Sequence, residues 1–115
     1  MDFAPDATTT GYAGRVTEFL DECVYPAEPV FAAQVAALDN PWDRPPVIEE
    51  LKAEARRRGL WNLFLPDKAL GAGLTNLQYA PLAEITGRNP WIAPEALNCS
   101  APDTGNMELL SLFGS

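Results

Sequence analysis

Apolar residues return to one face of the chain from Tyr12 onward. Tyr12, Val16, Phe19, Leu20, Cys23 and Val24 fall at i, i+4, i+7, i+8, i+11 and i+12. That period predicts an amphipathic helix, with Thr8, Thr9 and Thr10 offering N-cap oxygens ahead of it. Pro26 interrupts the pattern, because proline removes a donor and crowds the preceding turn. Phe31, Val35 and Leu38 resume it at i, i+4 and i+7. The expectation is two helical pieces or one kinked helix, bent at Pro26 to Pro29. Asp39 to Pro46 is a loop by composition, and Pro46 opens the next helix. There Ile48, Leu51 and Ala55 face inward. Glu49 and Glu50 sit in the first turn and Arg56, Arg57 and Arg58 in the last, which complements the helix dipole. Gly59 suits the left-handed position just beyond.

Leu60 to Pro66 is a short, irregular apolar segment that calls for burial. Asp67 to Gly73 is a loop. Its Gly71-Ala72-Gly73 looks like a phosphate loop only in its glycines, since no strand pattern precedes it and no lysine follows at the required offset. A flexible turn is the better reading. Thr75 and Gln78 form a capping box, with Leu74 and Tyr79 placed for the accompanying staple. That helix runs to Thr86, carries Pro81 inside it and stops at Gly87. Asn89-Pro90 is a turn, Pro94 starts a short helix to about Cys99, and Pro102 and Asp103 begin a last one that Gly114 ends. Five or six helices with short connections predict an all-α fold, an orthogonal or up-down bundle with residues 1–115 as one domain.

The last third carries the most information. A polar, small-residue stretch from Asn98 to Asn106 runs into Met107 to Phe113, which is apolar on almost every side. A helix of that kind must be buried. The sequence reaches Ser115 without supplying an element to bury it, so the chain reads as part of a larger protein.

Charge and chemistry narrow the function. The net charge is −8, and residues 1–50 hold all of the excess, which argues against nucleic acid or an anionic membrane as partner. No apolar run approaches the ~18 residues of a spanning helix. The acidic N-terminus lacks the order of a signal peptide, which makes the cytosol the expected location. Cys23 and Cys99 are too far apart for a zinc pattern, and no histidine completes one. Without histidine the commonest general base is missing, and Ser100, Ser111 and Ser115 have no base to activate them. From the residues alone this is a non-catalytic helical domain. The competing reading is a stand-alone acidic interaction module for a basic partner. Such a module should shield Leu109, Leu110, Leu112 and Phe113 itself, whereas part of a larger protein leaves them as an open apolar patch.

Four strings carry a resemblance. They are Phe19-Leu20-Asp21-Glu22-Cys23-Val24-Tyr25-Pro26-Ala27-Glu28-Pro29-Val30; Leu51 to Arg56 with Gly59-Leu60-Trp61-Asn62-Leu63-Phe64-Leu65-Pro66; Gly73 to Tyr79 with Leu82 to Arg88; and Ala93-Pro94-Glu95 with Asn98 to Glu108. Together they resemble the N-terminal α-helical domain of flavin-dependent acyl-CoA dehydrogenases. The last string is the most specific, and is similar to the branch of larger members joined in some organisms to a kinase-like domain. The departures are Pro81, Pro90-Trp91 and Ala69-Leu70-Gly71. The resemblance implies a three-part enzyme: this domain, a β-domain and a C-terminal helical domain. It implies FAD as cofactor, an acyl-CoA substrate, electron-transfer flavoprotein as electron acceptor and a homo-oligomer. The flavin motif and the catalytic carboxylate would lie outside this sequence. Leu97 to Met107 would form a wall of the acyl and flavin pocket, with Asn98, Cys99, Ser100, Thr104 and Met107 nearest the ligands.

Overall fold

The computed structural model describes residues 2–115. It consists of α1 (Ala7–Phe19), a π-helical turn (Leu20–Val24), α2 (Tyr25–Ala36), α3 (Pro46–Arg57), α4 (Asn76–Thr86), α5 (Ala93–Ala96) and α6 (Asp103–Phe113). No strand occurs among the described residues. The all-α expectation holds.

The first helix begins earlier than the threonines suggest. Asp6 is its N-cap, accepting from the Thr9 amide at 2.7 Å, and Thr8 to Thr10 lie inside the first turn. A carboxylate answers the positive end of the helix dipole better than a hydroxyl does. The other Asp6 oxygen accepts from Gln78 Nε2 at 2.9 Å. Gln78 belongs to the capping box of α4, which forms as expected with Thr75. The starts of α1 and α4 are therefore held together.

The bend also differs from expectation. The chain stays helical through Pro26 and Pro29, and the irregularity is the π turn ahead of them. Pro26 has no N–H to return to the Glu22 carbonyl, and its ring crowds that oxygen. A wider turn, in which the Tyr25 amide donates to the Leu20 carbonyl, absorbs the conflict. It keeps Phe19, Leu20 and Val24 all inward.

Helix α3 lies antiparallel along this rod and is held at both ends. Gln34 Oε1 accepts from the Val47 amide at 2.8 Å, and Arg15 donates to the Arg58 carbonyl. Gly59, with φ +71°, ends α3 as the sequence predicts. The three arginines are engaged locally. Arg57 and Arg58 pair with Glu54, Arg58 also reaches Glu22 at 2.8 Å, and Arg56 lies 3.9 Å over the Trp61 ring. They form no phosphate cradle.

Phe19, Leu20, Leu60, Leu82 and Ile92 form the centre of the core. Leu63, Phe64 and Leu65 are buried, as the apolar run requires. Lys52 and Asn89 are among the polar residues buried there with partners. Lys52 Nζ sits 3.1 Å from Glu95 and 3.3 Å from Glu49. Asn89 joins α2 to α5: its Oδ1 accepts from the Ile92 amide at 2.9 Å and its Nδ2 donates to Glu28 at 2.6 Å. Losing that buried cap and a charge-assisted bond should cost about 2 kcal/mol. Asn89→Ala is thus expected to lower the urea midpoint, with Asn89→Ser recovering part of the loss through its hydroxyl acceptor. An unchanged midpoint for the alanine variant would remove Asn89 from this role.

Candidate functional site

The polar stretch that the sequence singles out forms a turn and a short loop between α5 and α6. Helix α6 is attached to the domain by its less apolar side. Thr104, Met107 and Ser111, at i, i+3 and i+7, are half-buried, and no residue of α6 is fully buried. Leu110, Leu112 and Phe113 point outward with 68%, 74% and 79% of their surface exposed, and Leu109 is also exposed. This is the usual amphipathic arrangement turned inside out. It meets the criterion set for part of a larger protein, and it fails the one set for a self-sealed module.

Two asparagines in the left-handed region organise the turn. Asn98 has φ +58° and Asn62 has φ +62°. Such values suit asparagine better than other non-glycine residues, because its short amide bonds locally. Asn98 Nδ2 donates to Asn62 Oδ1 at 2.6 Å and lies 3.3 Å from Met107 Sδ. Asn62 Nδ2 donates to the Leu70 carbonyl at 3.1 Å, and the Asn62 amide donates to the Leu97 carbonyl at 3.3 Å. The 60–65 turn, the 67–73 loop, the 97–99 turn and α6 thereby meet at one pair of side chains.

The five residues singled out in sequence have distinct placements. Asn98 and Met107 are joined as just described. Cys99 packs toward the core against Tyr79, beside Leu63, Leu82, Thr86 and Leu97, with no room for a water between them. Ser100 and Thr104 are half-buried, and their hydroxyls make no side-chain hydrogen bond among the described residues; the Thr104 amide donates to the Ser100 carbonyl at 3.2 Å. No side chain caps the start of α6, whereas Asn98, in the left-handed region just past Leu97, closes α5, with the Cys99 amide donating to the Pro94 carbonyl at 2.8 Å. Asn62 escaped the sequence reading. Its only signal is a polar residue inside the apolar Leu60–Pro66 run. Beside this wall, an open cleft of about 360 Å³ separates α6 from the 65–67 segment, with Asp67, Glu108, Ser111 and Leu112 on its sides.

Burial pushes the Cys99 thiol up, partly offset by its hydrogen bond with Tyr79, and burial likewise raises the Tyr79 hydroxyl. For acids raised in the folded state, stability is full below the unfolded value and declines as pH rises past it. On the acid side, hydrogen bonds from Arg57 and Arg58 hold Glu54 at about 2, and the Thr9 amide and Gln78 hold Asp6 low. Stability from these carboxylates is present above their unfolded values and lost as pH falls through the folded ones. The urea midpoint should therefore plateau from about pH 5 to 8, falling below about 4.5 and above about 9. A Cys99→Ala, Tyr79→Phe double variant should weaken the alkaline decline and leave the part due to Cys23, whose thiol burial also raises; an equally steep decline in it would reject the assignment.

These features define a class: an all-α domain that presents a small-residue, hydroxyl-bearing turn and an outward apolar helix. Comparison with known proteins identifies the family. The chain is 54% identical over 117 residues to the protein named Probable acyl-CoA dehydrogenase FadE2 of Mycobacterium tuberculosis, covering 100% of this chain and 28% of that protein. It is 47% identical over 106 residues to acyl-CoA dehydrogenase family member 10 of Mus musculus, covering 88% of this chain and 10% of the relative. It is 48% identical over 104 residues to family member 11 of Gallus gallus, covering 88% of this chain and 13% of the relative. A solved structure of an acyl-CoA dehydrogenase from Mycobacterium abscessus superposes with a TM-score of 0.85 at 47% identity, covering 97% of this chain and 29% of that one. No family model matches the chain. The chain belongs to the acyl-CoA dehydrogenase family and corresponds to its N-terminal helical domain. It spans 28% or less of the length of these curated relatives.

Proposed function

We propose that this domain serves within an FAD-dependent dehydrogenase that converts acyl-CoA thioesters to 2-enoyl-CoA, and that it is inert alone. The carrying observation is similarity to FadE2 over the whole of this chain, joined to an α6 whose apolar side faces outward. In this reading the outward side of α6 packs against the β-domain and C-terminal helical domain, and residues 97–107 line the acyl and flavin pocket. FAD supplies the hydride acceptor when bound. The α-proton is removed by a carboxylate outside this chain, and electrons leave to electron-transfer flavoprotein. A cytosolic homo-oligomer completes the proposal, in keeping with two free thiols; among the described residues no helix is long and apolar enough to cross a membrane.

The residues present suit contact with the cofactor and substrate rather than their capture. Ser100 and Thr104 bring hydroxyls that can donate to a ligand edge without breaking an internal side-chain bond. Small Ser100, and a Cys99 side chain turned toward the core, let a flat group approach the backbone. Met107, unbranched and polarizable, adapts to an apolar chain. Charged phosphates call for cations, and Arg56, Arg57 and Arg58 are engaged by Glu54, Glu22 and the Trp61 ring. This chain orients and excludes water; it transfers no proton. Purified alone, it should show no flavin absorbance and no dehydrogenation of acyl-CoA. The longer polypeptide carrying it should show both, and turnover by the 115-residue chain alone would overturn the proposal.

A further inference from the structure

We infer that Asn62, a residue distant in sequence from the pocket wall, is the positioning residue that sets the wall's geometry through the Asn98 side chain. This rests on the wall reading of residues 97–107.

The geometry assigns each end of the Asn62 amide a separate task. Its nitrogen is tied to the Leu70 carbonyl at 3.1 Å, which leaves its oxygen to accept from Asn98 Nδ2 at 2.6 Å. An amide nitrogen so held turns its other side toward Met107, with Sδ 3.3 Å away. The backbone repeats the link, since the Asn62 amide donates to the Leu97 carbonyl. One side chain therefore fixes both the turn before the wall and the apolar residue at its far end. Helix α6 gives the wall little other support, because it has no side-chain cap and no fully buried residue. Removing the Asn62 amide frees Asn98 and Met107 to shift without disturbing the core. Displacements of about 1 Å at a substrate-positioning surface lower rates up to about a hundredfold.

The test separates position from folding. Asn62→Gly keeps the left-handed backbone at no steric cost and deletes only the amide. Asn62→Asp keeps the oxygen that accepts from Asn98. In the full-length flavoenzyme assayed with octanoyl-CoA, Asn62→Gly should lower kcat/KM about tenfold while leaving the melting temperature nearly unchanged. Asn62→Asp should restore most of that loss. Combining Asn98→Gly with Asn62→Gly should lower kcat/KM by less than the product of the two single losses, because the two side chains share one bond. Met107, followed by its 13C-methyl resonance in the same enzyme, should shift in Asn62→Gly and return in Asn62→Asp. Unchanged kinetics in Asn62→Gly, with or without a Met107 shift, overturns the inference. Met107→Ala distinguishes the two levels: if it alters kcat/KM, only the role of Asn62 falls, and if it does not, the wall reading falls with it.

Discussion

Phe19→Ala should cost the domain more stability than Asn89→Ala or Gly71→Ala. The ring is fully buried at the junction of α1 and the π turn. Truncating a buried phenylalanine costs about 3–5 kcal/mol, from lost transfer energy and an unfilled cavity. Domains of this size hold roughly 0.05–0.15 kcal/mol per residue, so one such loss is a large share of the total. Phe19→Leu refills much of the volume and should recover more than half. The measurement is the urea midpoint, and a Phe19→Ala midpoint close to that of the parent would contradict the packing described.

Gly71→Ala is the second large effect, and it arises from backbone rather than core. A Cβ at Gly71 would collide with the Leu65 carbonyl oxygen and stand 2.9 Å from the Asn62 carbonyl oxygen. Neither obstacle is a flexible side chain, so the loop must move. Overpacking of this kind costs about 1–3 kcal/mol, and a rigid backbone places it at the upper end. The consequence reaches the wall, because the neighbouring Leu70 carbonyl is what holds Asn62. Substituting Ala72, its half-buried neighbour, by glycine supplies the control, with an expected loss under about 1 kcal/mol. Equal midpoints for Gly71→Ala and the parent would show that the loop yields freely.

The turn around Gly71 illustrates where sequence reading stops. Its glycines suggest a flexible turn, whereas Gly71 is required because two carbonyl oxygens close over it. That constraint joins residues 62, 65 and 71, and no local pattern encodes a collision. The same holds for Asn62 and Asn98, separated by 36 positions and bonded side chain to side chain. Lys52 carries no local sign of its partner: it is buried against Glu95, which meets it only once α5 packs on α3. Local signals fared better. Pro46, Gly59, the Thr75–Gln78 box and the ends of α6 act through neighbours within one turn, and each falls where the sequence places it. The π turn lies between these cases: Pro26 announces a disturbance, but whether the helix breaks or widens depends on Phe19, Leu20 and Val24 all finding the core. For the candidate site, the sequence marks the 98–107 stretch and the apolar Leu109–Phe113 segment, and misses the residue beneath them.

Amide hydrogen exchange across Asp103–Phe113, compared between the purified 115-residue chain and the full-length flavoenzyme, addresses the central claim most directly. If other parts of an acyl-CoA dehydrogenase cover the outward side of α6, its amides should exchange readily in the lone chain and at least about a hundredfold more slowly in the enzyme. Strong, equal protection in both would mean that this helix already has all the support it needs, and that the domain was not built to be completed by other polypeptide.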